Sequence, residues 1–141
     1  MKYSITLAHA LGCALALGAA SQASPISAAP ARSASAVALQ RLDTDHDRTV
    51  DLNEARTAAN AVFDRLDRDH DGTLDRRELR GRMSAAQFAA ADPDHDNTLS
   101  RDEYMAAVEM RFNAADIDHD GTLDAKELSS LAGRAFLRLT T

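Results

Sequence analysis

The sequence predicts an all-α fold: one compact domain of about five short helices joined by four acidic loops, with short β contacts where the loops meet. Three observations carry this. A twelve-residue pattern of alternating carboxylates begins at Asp43, Asp67, Asp92 and Asp116, a repeat of 24 or 25 residues. Ala-rich segments whose larger apolar residues fall at helical spacing separate these windows. Of 22 Asp and Glu residues, all but Asp64 and Glu109 lie inside the windows. A merely solvated acidic surface would scatter its charge.

The 141 residues suffice for one modest domain, and a formal net charge of -6 argues against nucleic acid as a partner. Residues 1–23 read as a signal peptide: Lys2, an apolar run from Ile5 to Leu17, then Ser21-Gln22-Ala23. Cleavage is expected after Ala23, with Ala20 as the second choice, and export to the periplasm or outside the cell follows. The run is short for a membrane span and no second one follows, so the mature chain should lack a transmembrane segment. Ala10-Leu11-Gly12-Cys13 faintly resembles a lipobox, but it lies very early with more apolar sequence behind it, which favours the plain leader. Cys13 is the only cysteine, so the mature protein depends on no disulfide. Residues 24–36, rich in Ser, Ala and Pro, read as a flexible tether. The globular domain is expected over 37–141, as a monomer.

The windows share one plan. At positions 1, 3, 5, 7, 9 and 12 the first carries Asp43, Asp45, Asp47, Thr49, Asp51 and Glu54. The second carries Asp67, Asp69, Asp71, Thr73, Asp75 and Glu78. The third carries Asp92, Asp94, Asp96, Thr98, Ser100 and Glu103; the fourth Asp116, Asp118, Asp120, Thr122, Asp124 and Glu127. Carboxylates drawn to one point repel unless a cation sits among them. Position 8 is always aliphatic: Val50, Leu74, Leu99 and Leu123. Phe63, Phe88 and Phe112 each stand four residues before a window, with Leu39 in that place before the first. Phe136 keeps the register once more, but Thr140 stands where the next aspartate would be. The final helix is therefore a repeat without its loop, a cap.

Between windows, Ala58, Ala61, Val62 and Leu66 form one expected core stripe, and Tyr104, Ala107, Val108, Arg111 and Phe112 another. Only twelve residues separate the first two windows. One continuous helix should therefore leave loop 1 and lead into loop 2, and likewise between loops 3 and 4. Between loops 2 and 3 the chain should break: Gly81 can end a helix and Ser84-Ala85-Ala86-Gln87 can cap the next. A helix of about 14 residues is about 21 Å long and holds its two loops apart. A nested arrangement follows, with loop 2 against loop 3 and loop 1 against loop 4. Sequential pairing would need kinks near Thr57 or Asn60. Contacts between Val50 and Leu123 support the nested scheme; contacts between Val50 and Leu74 refute it.

The windows resemble the EF-hand loop, loops 2 and 4 at every defining position, and the resemblance covers residues 39–139. The chain is similar to the small exported EF-hand proteins of bacteria. The resemblance implies up to four bound Ca²⁺. Positions 1, 3 and 5 would supply carboxylate oxygens, position 7 a backbone carbonyl, position 9 often a water, and position 12 a bidentate glutamate. About seven oxygens suit Ca²⁺ better than the stricter six of Mg²⁺. Position 6 turns sharply and favours Gly72 and Gly121; Asn97 in loop 3 tolerates that backbone, whereas Arg48 in loop 1 is strained and cationic. Loop 1 is expected to be the weakest site. Loss of Lys2 with the leader takes the net charge from -6 to -7, which four Ca²⁺ would nearly cancel, so folding should be calcium-stabilised.

The role expected is a calcium buffer or sensor, with a calcium-dependent regulatory protein that binds a protein or envelope partner as the alternative. His46, His70, His95 and His119 all occupy loop position 4 and read as exposed repeat residues rather than a second metal site. The basic run Arg76–Arg82 reads as a solvated face, and Met83, Met105 and Met110 are too scattered to announce a target groove. Asp69 to Leu74, and Asp118 to Leu123, also look like the nucleophile motif of haloacid dehalogenase-like phosphatases. That chemistry needs a buried strand immediately ahead, and Arg65-Leu66-Asp67-Arg68 is not one. An enzyme is not expected.

Overall fold

In the computed structural model, which describes residues 33–141, the first helix is α1 (Ala34–Leu42). Ser33 starts it: its Oγ accepts the N–H of Ala36 at 3.2 Å, satisfying one of the orphan donors of the first turn. Residues 34–36, expected as the end of the tether, are helical as the start of α1, and Ser35 and Ala38 are buried. The expected leader, its cleavage site and residues 24–32 lie outside the described residues.

Helices α2 (Leu52–Leu66) and α4 (Arg101–Ala115) have 15 residues each and run unbroken from one acidic window to the next, as the spacing predicts. Each begins with reciprocal side-chain caps, Asp51 with Glu54 and Ser100 with Glu103. Across their packed faces Arg56 pairs with Glu109 at 2.8 Å and Arg101 with Asp64 at 2.6 Å. On α4 the buried stripe is Tyr104, Ala107, Val108, Phe112 and Ala115, with Arg111 half-buried at its edge. On α2 the face is rotated from the expected one. Ala55, Ala59, Val62 and Phe63 are buried, Ala58 and Leu66 half-buried, and Ala61 exposed. In an alanine-rich helix small residues surround every face, so the burial of Val62 and Phe63 sets the rotation.

Loops 2 and 3 meet through β1 (Thr73–Asp75) and β2 (Thr98–Ser100), antiparallel, with Leu74 opposite Leu99. Loops 1 and 4 meet through Val50 and Leu123, whose backbones exchange hydrogen bonds at 3.0 and 2.9 Å. The nested scheme holds, because a rigid 15-residue α2 keeps loop 1 out of reach of loop 2. All four position-8 residues are fully buried.

Between β1 and β2 the chain departs from the expected helix–break–helix. Ser84 and Gln87 do cap a helix, α3 (Ala85–Ala91), and Gly81 has φ +82°. Residues 76–82, however, form turns throughout. Two α-type bonds, from the Leu79 N–H to the Asp75 carbonyl and from the Met83 N–H to the Leu79 carbonyl, are separated by shorter i→i−3 turns and do not join into a helix. Arg76 and Arg80 would stack like charges one helical turn apart, which disfavours propagation.

After loop 4, α5 (Ala125–Ser129) and α6 (Leu131–Thr140) are separate, so the described residues hold six helices where about five are expected. Ser130 caps α6, its Oγ accepting the Gly133 N–H at 2.9 Å. Gly133 lies on the backbone of Glu127 and Leu128, where a Cβ would collide, so the corner requires glycine. Helix α6 then seals the core as the predicted cap. Phe136 meets Phe112 edge-on at 5.9 Å, Tyr104 meets Phe63 edge-on at 5.6 Å, and the Tyr104 hydroxyl donates to the Leu139 carbonyl at 2.8 Å. No helix among the described residues is long and apolar enough to cross a membrane.

Candidate metal centres

Each acidic loop is bent twice into the left-handed backbone region. Position 6 has φ of +76° at Arg48, +87° at Gly72, +69° at Asn97 and +86° at Gly121. Position 4 is left-handed as well, with φ from +58° to +64° at His46, His70, His95 and His119. Sequence reasoning missed this second bend. Its signal was histidine, which is enriched several-fold among the few side chains tolerated there. The repeated histidines thus have a backbone reason, and all four are exposed.

The bends fold the first and third carboxylates inward. Side-chain oxygens of Asp43, Asp45 and Glu54 lie within 4.8 Å of one another in loop 1, and so do those of Asp67, Asp69 and Asp71 in loop 2. Asp92, Asp94 and Asp96 gather the same way in loop 3, and Asp116, Asp118 and Glu127 in loop 4. At position 5, the Oδ1 atoms of Asp47, Asp71, Asp96 and Asp120 each accept both the N–H and the hydroxyl of the position-7 threonine, at 2.7–2.8 Å. The hydroxyls of Thr49, Thr73, Thr98 and Thr122 are therefore spent on shaping the loop. The position-9 side chains Asp51, Asp75, Ser100 and Asp124 accept the N–H of position 12. They act as caps and stand outside the converging sets.

The position-12 glutamates differ in how they are held. Glu54, Glu78 and Glu127 each accept a backbone N–H from position 2 on one oxygen and from position 9 on the other. In loop 3, position 2 is Pro93, which has no N–H, so Glu103 is fixed only through Oε2 by Ser100.

The electrostatics follow the bonding. At Asp45 the Asp47 N–H favours the charged form, but desolvation and the carboxylates of Asp47, Glu54 and Asp43 outweigh it and raise the pKa. Asp94 is raised likewise against the Asp96 N–H, by desolvation and by Asp96 and Glu103. Asp47 and Asp71 are lowered by the hydroxyl and N–H of Thr49 and Thr73.

Position 1 separates the loops. Asp43, Asp67, Asp92 and Asp116 are all buried. In loops 2, 3 and 4 one oxygen, Oδ2, accepts the position-6 N–H at 3.1 Å. The other, Oδ1, is buried with no hydrogen-bond partner. A buried acceptor left unpaired costs about 1–3 kcal/mol, more when charged. In loop 1 no such atom exists: Asp43 Oδ1 accepts the Asp47 N–H at 3.1 Å and Oδ2 the Arg48 N–H at 3.0 Å. An oxygen-only donor set with an unpaired buried carboxylate oxygen at its base fits a hard divalent cation. The dehalogenase-type reading has no support, since helices α2 and α4, not buried strands, end just ahead of Asp67 and Asp116.

A search of curated proteins finds none that matches the chain. A family model described as EF hand matches it three times in succession, at residues 59–84, 85–108 and 107–132. These matches hold loops 2, 3 and 4 and leave loop 1 outside. Together they span more than half of the 141 residues, and by them the chain belongs to the EF-hand family.

Proposed function

We propose that the protein is an exported, non-enzymatic calcium-binding protein whose folding is completed by the ions it takes up. The observation that carries this reading is the set of buried, unpaired Oδ1 atoms of Asp67, Asp92 and Asp116, each beside further carboxylates of its own loop. A cation there removes both the missing partner and the mutual repulsion. The ligands we assign are the position 1, 3, 5 and 12 side chains and the position-7 carbonyl, with position 9 acting through water. Loop 1 is the weakest site, since Asp43 is already satisfied and Arg48 sits at the strained turn. The Lys2-to-Ala23 segment supports export, and the role is that of a buffer or sensor.

Calorimetric titration of the leader-free protein with Ca²⁺ and Mg²⁺ tests this. Three Ca²⁺ should bind well ahead of any fourth, with Mg²⁺ weaker at each. Circular dichroism should show a lower melting temperature in EGTA. Absence of Ca²⁺ uptake at millimolar concentration would refute the proposal.

A further inference from the structure

Position 2 of the loops is occupied by Thr44, Arg68, Pro93 and Ile117. In three of them its N–H has a fixed use. Thr44, Arg68 and Ile117 donate it to Oε1 of Glu54, Glu78 and Glu127, at 2.6, 2.9 and 2.8 Å. The position-9 N–H groups hold the other oxygen, Oε2, at 3.0–3.1 Å. A carboxylate gripped at both oxygens cannot turn about its last bond. In loop 3 the proline ring closes on the nitrogen and no donor remains. Glu103 is held at Oε2 alone, where the Ser100 N–H and hydroxyl both donate at 2.8 Å. Its Oε1 accepts no hydrogen bond from the described residues.

The base of loop 3 is otherwise built like those of loops 2 and 4. The Asn97 N–H reaches Asp92 Oδ2 at 3.1 Å, and Asp92 Oδ1 is buried and unpaired. The backbone ahead of position 2 also agrees, with ψ of 84° at Asp92 and 86° at Asp67, so the proline enters without redirecting the chain. Its effect falls on the glutamate. A bidentate position-12 carboxylate is what brings the oxygen count to about seven. Ca²⁺ accepts roughly six to eight oxygens in flexible geometry, whereas Mg²⁺ demands about six at near-octahedral angles. A glutamate fixed at both oxygens has met its ordering cost before Ca²⁺ arrives. That advantage is lost on Mg²⁺, which is better served by a carboxylate free to turn one oxygen inward.

We propose that Pro93 sets the ion specificity of loop 3: by leaving Glu103 Oε1 unanchored, it makes this the loop that discriminates least between Ca²⁺ and Mg²⁺. The inference rests on the calcium-binding reading above and adds which loop admits the smaller ion, and through which residue.

Two-dimensional NMR of the leader-free protein, titrated with Ca²⁺ and separately with Mg²⁺, tests it. Each loop is read at its own position-6 N–H: Arg48, Gly72, Asn97 and Gly121. The ratio of the Mg²⁺ to the Ca²⁺ dissociation constant should be smallest at Asn97, about tenfold below that at Gly72, the worth of one charge-assisted hydrogen bond. Pro93→Ala restores the N–H and should raise the ratio at Asn97 about tenfold, leaving the other loops unchanged. The transplant Arg68→Pro should lower the ratio at Gly72 by a similar factor relative to Arg68→Ala, which loses the same charge but keeps the N–H. Loop 3 also carries Ser100 where the others carry aspartate. Neither exchange touches it, so a ratio that follows the proline is not the serine's doing. Circular dichroism verifies the fold; should Arg68→Pro unfold, Pro93→Ala decides alone, since alanine adopts any backbone angle proline does. A ratio at Asn97 that is not the smallest, or that Pro93→Ala leaves unchanged, would overturn the proposal, as would equal ratios at Gly72 in Arg68→Pro and Arg68→Ala. Any of these with Ca²⁺ still bound leaves the calcium-binding reading standing, whereas uptake of neither ion removes both.

Discussion

Exchanging aspartate for asparagine at position 1 should have opposite consequences in loops 4 and 1, although the residue and its place in the loop are the same. In loop 4, Asp116 Oδ1 is buried and unpaired, while Oδ2 holds the Gly121 N–H. Asparagine keeps an acceptor for Gly121 and turns its NH₂ toward the oxygens of Asp118 and Glu127, which lie within 4.8 Å. It removes one negative charge and supplies the missing donor. Without metal, Asp116→Asn should therefore stabilise the protein by about 1–3 kcal/mol, the usual cost of such an orphan. With Ca²⁺ it should lose affinity at that site. In loop 1, both oxygens of Asp43 already accept backbone N–H groups. Asparagine has one acceptor, so Asp43→Asn forfeits a charge-assisted hydrogen bond and should destabilise by about 1–2 kcal/mol, metal or none. Urea denaturation in EGTA reads both signs directly, and calorimetry reads the ion. If the two variants shift stability in the same direction without metal, the distinction between a satisfied and an unsatisfied loop is wrong.

Burial pushes the Tyr104 phenol up to about 12, against a usual value near 10. Its neutral form is the one the fold prefers. Its contribution is therefore complete below about pH 10 and is lost as pH rises to about 12, some 2–3 kcal/mol in all; Tyr104→Phe should abolish that alkaline phase of denaturation. Gly133→Ala places a methyl against the Glu127–Leu128 backbone and should lower stability by about 1–3 kcal/mol in thermal unfolding. A double-mutant cycle of Val50→Ala with Leu123→Ala should show coupling above about 0.5 kcal/mol, and Val50→Ala with Leu74→Ala less, by urea midpoint. Equal coupling in both cycles would count against the nested pairing.

Much of the architecture was legible because local rules agreed. The carboxylate windows marked the loops, the twelve-residue spacing left room for one helix, and that helix's length decided which loops could meet. The alanine-rich face of α2 was not legible, since hydrophobic period cannot choose among small residues and the choice fell to Phe63. The turns at 76–82 needed the mutual repulsion of Arg76 and Arg80 to be weighed against a weak helical pattern. Pro93 could have been read in advance, as its missing N–H leaves Glu103 with one anchor fewer. The difference between Asp43 and its three counterparts could not, because the residue type is the same and only the direction of the Asp47 N–H distinguishes them.

The nested arrangement makes this a chain that cannot be halved. Each two-stranded contact joins the part before Gly81 to the part after it: β1 to β2, and Val50 to Leu123. A polypeptide ending at Gly81 would carry two loops whose partners both lie on the missing piece. By the same geometry, a single cut within 76–82 would sever no such contact. The two fragments would stay clasped at both ends, α2 still lying along α4, so backbone continuity there is dispensable to the assembled form.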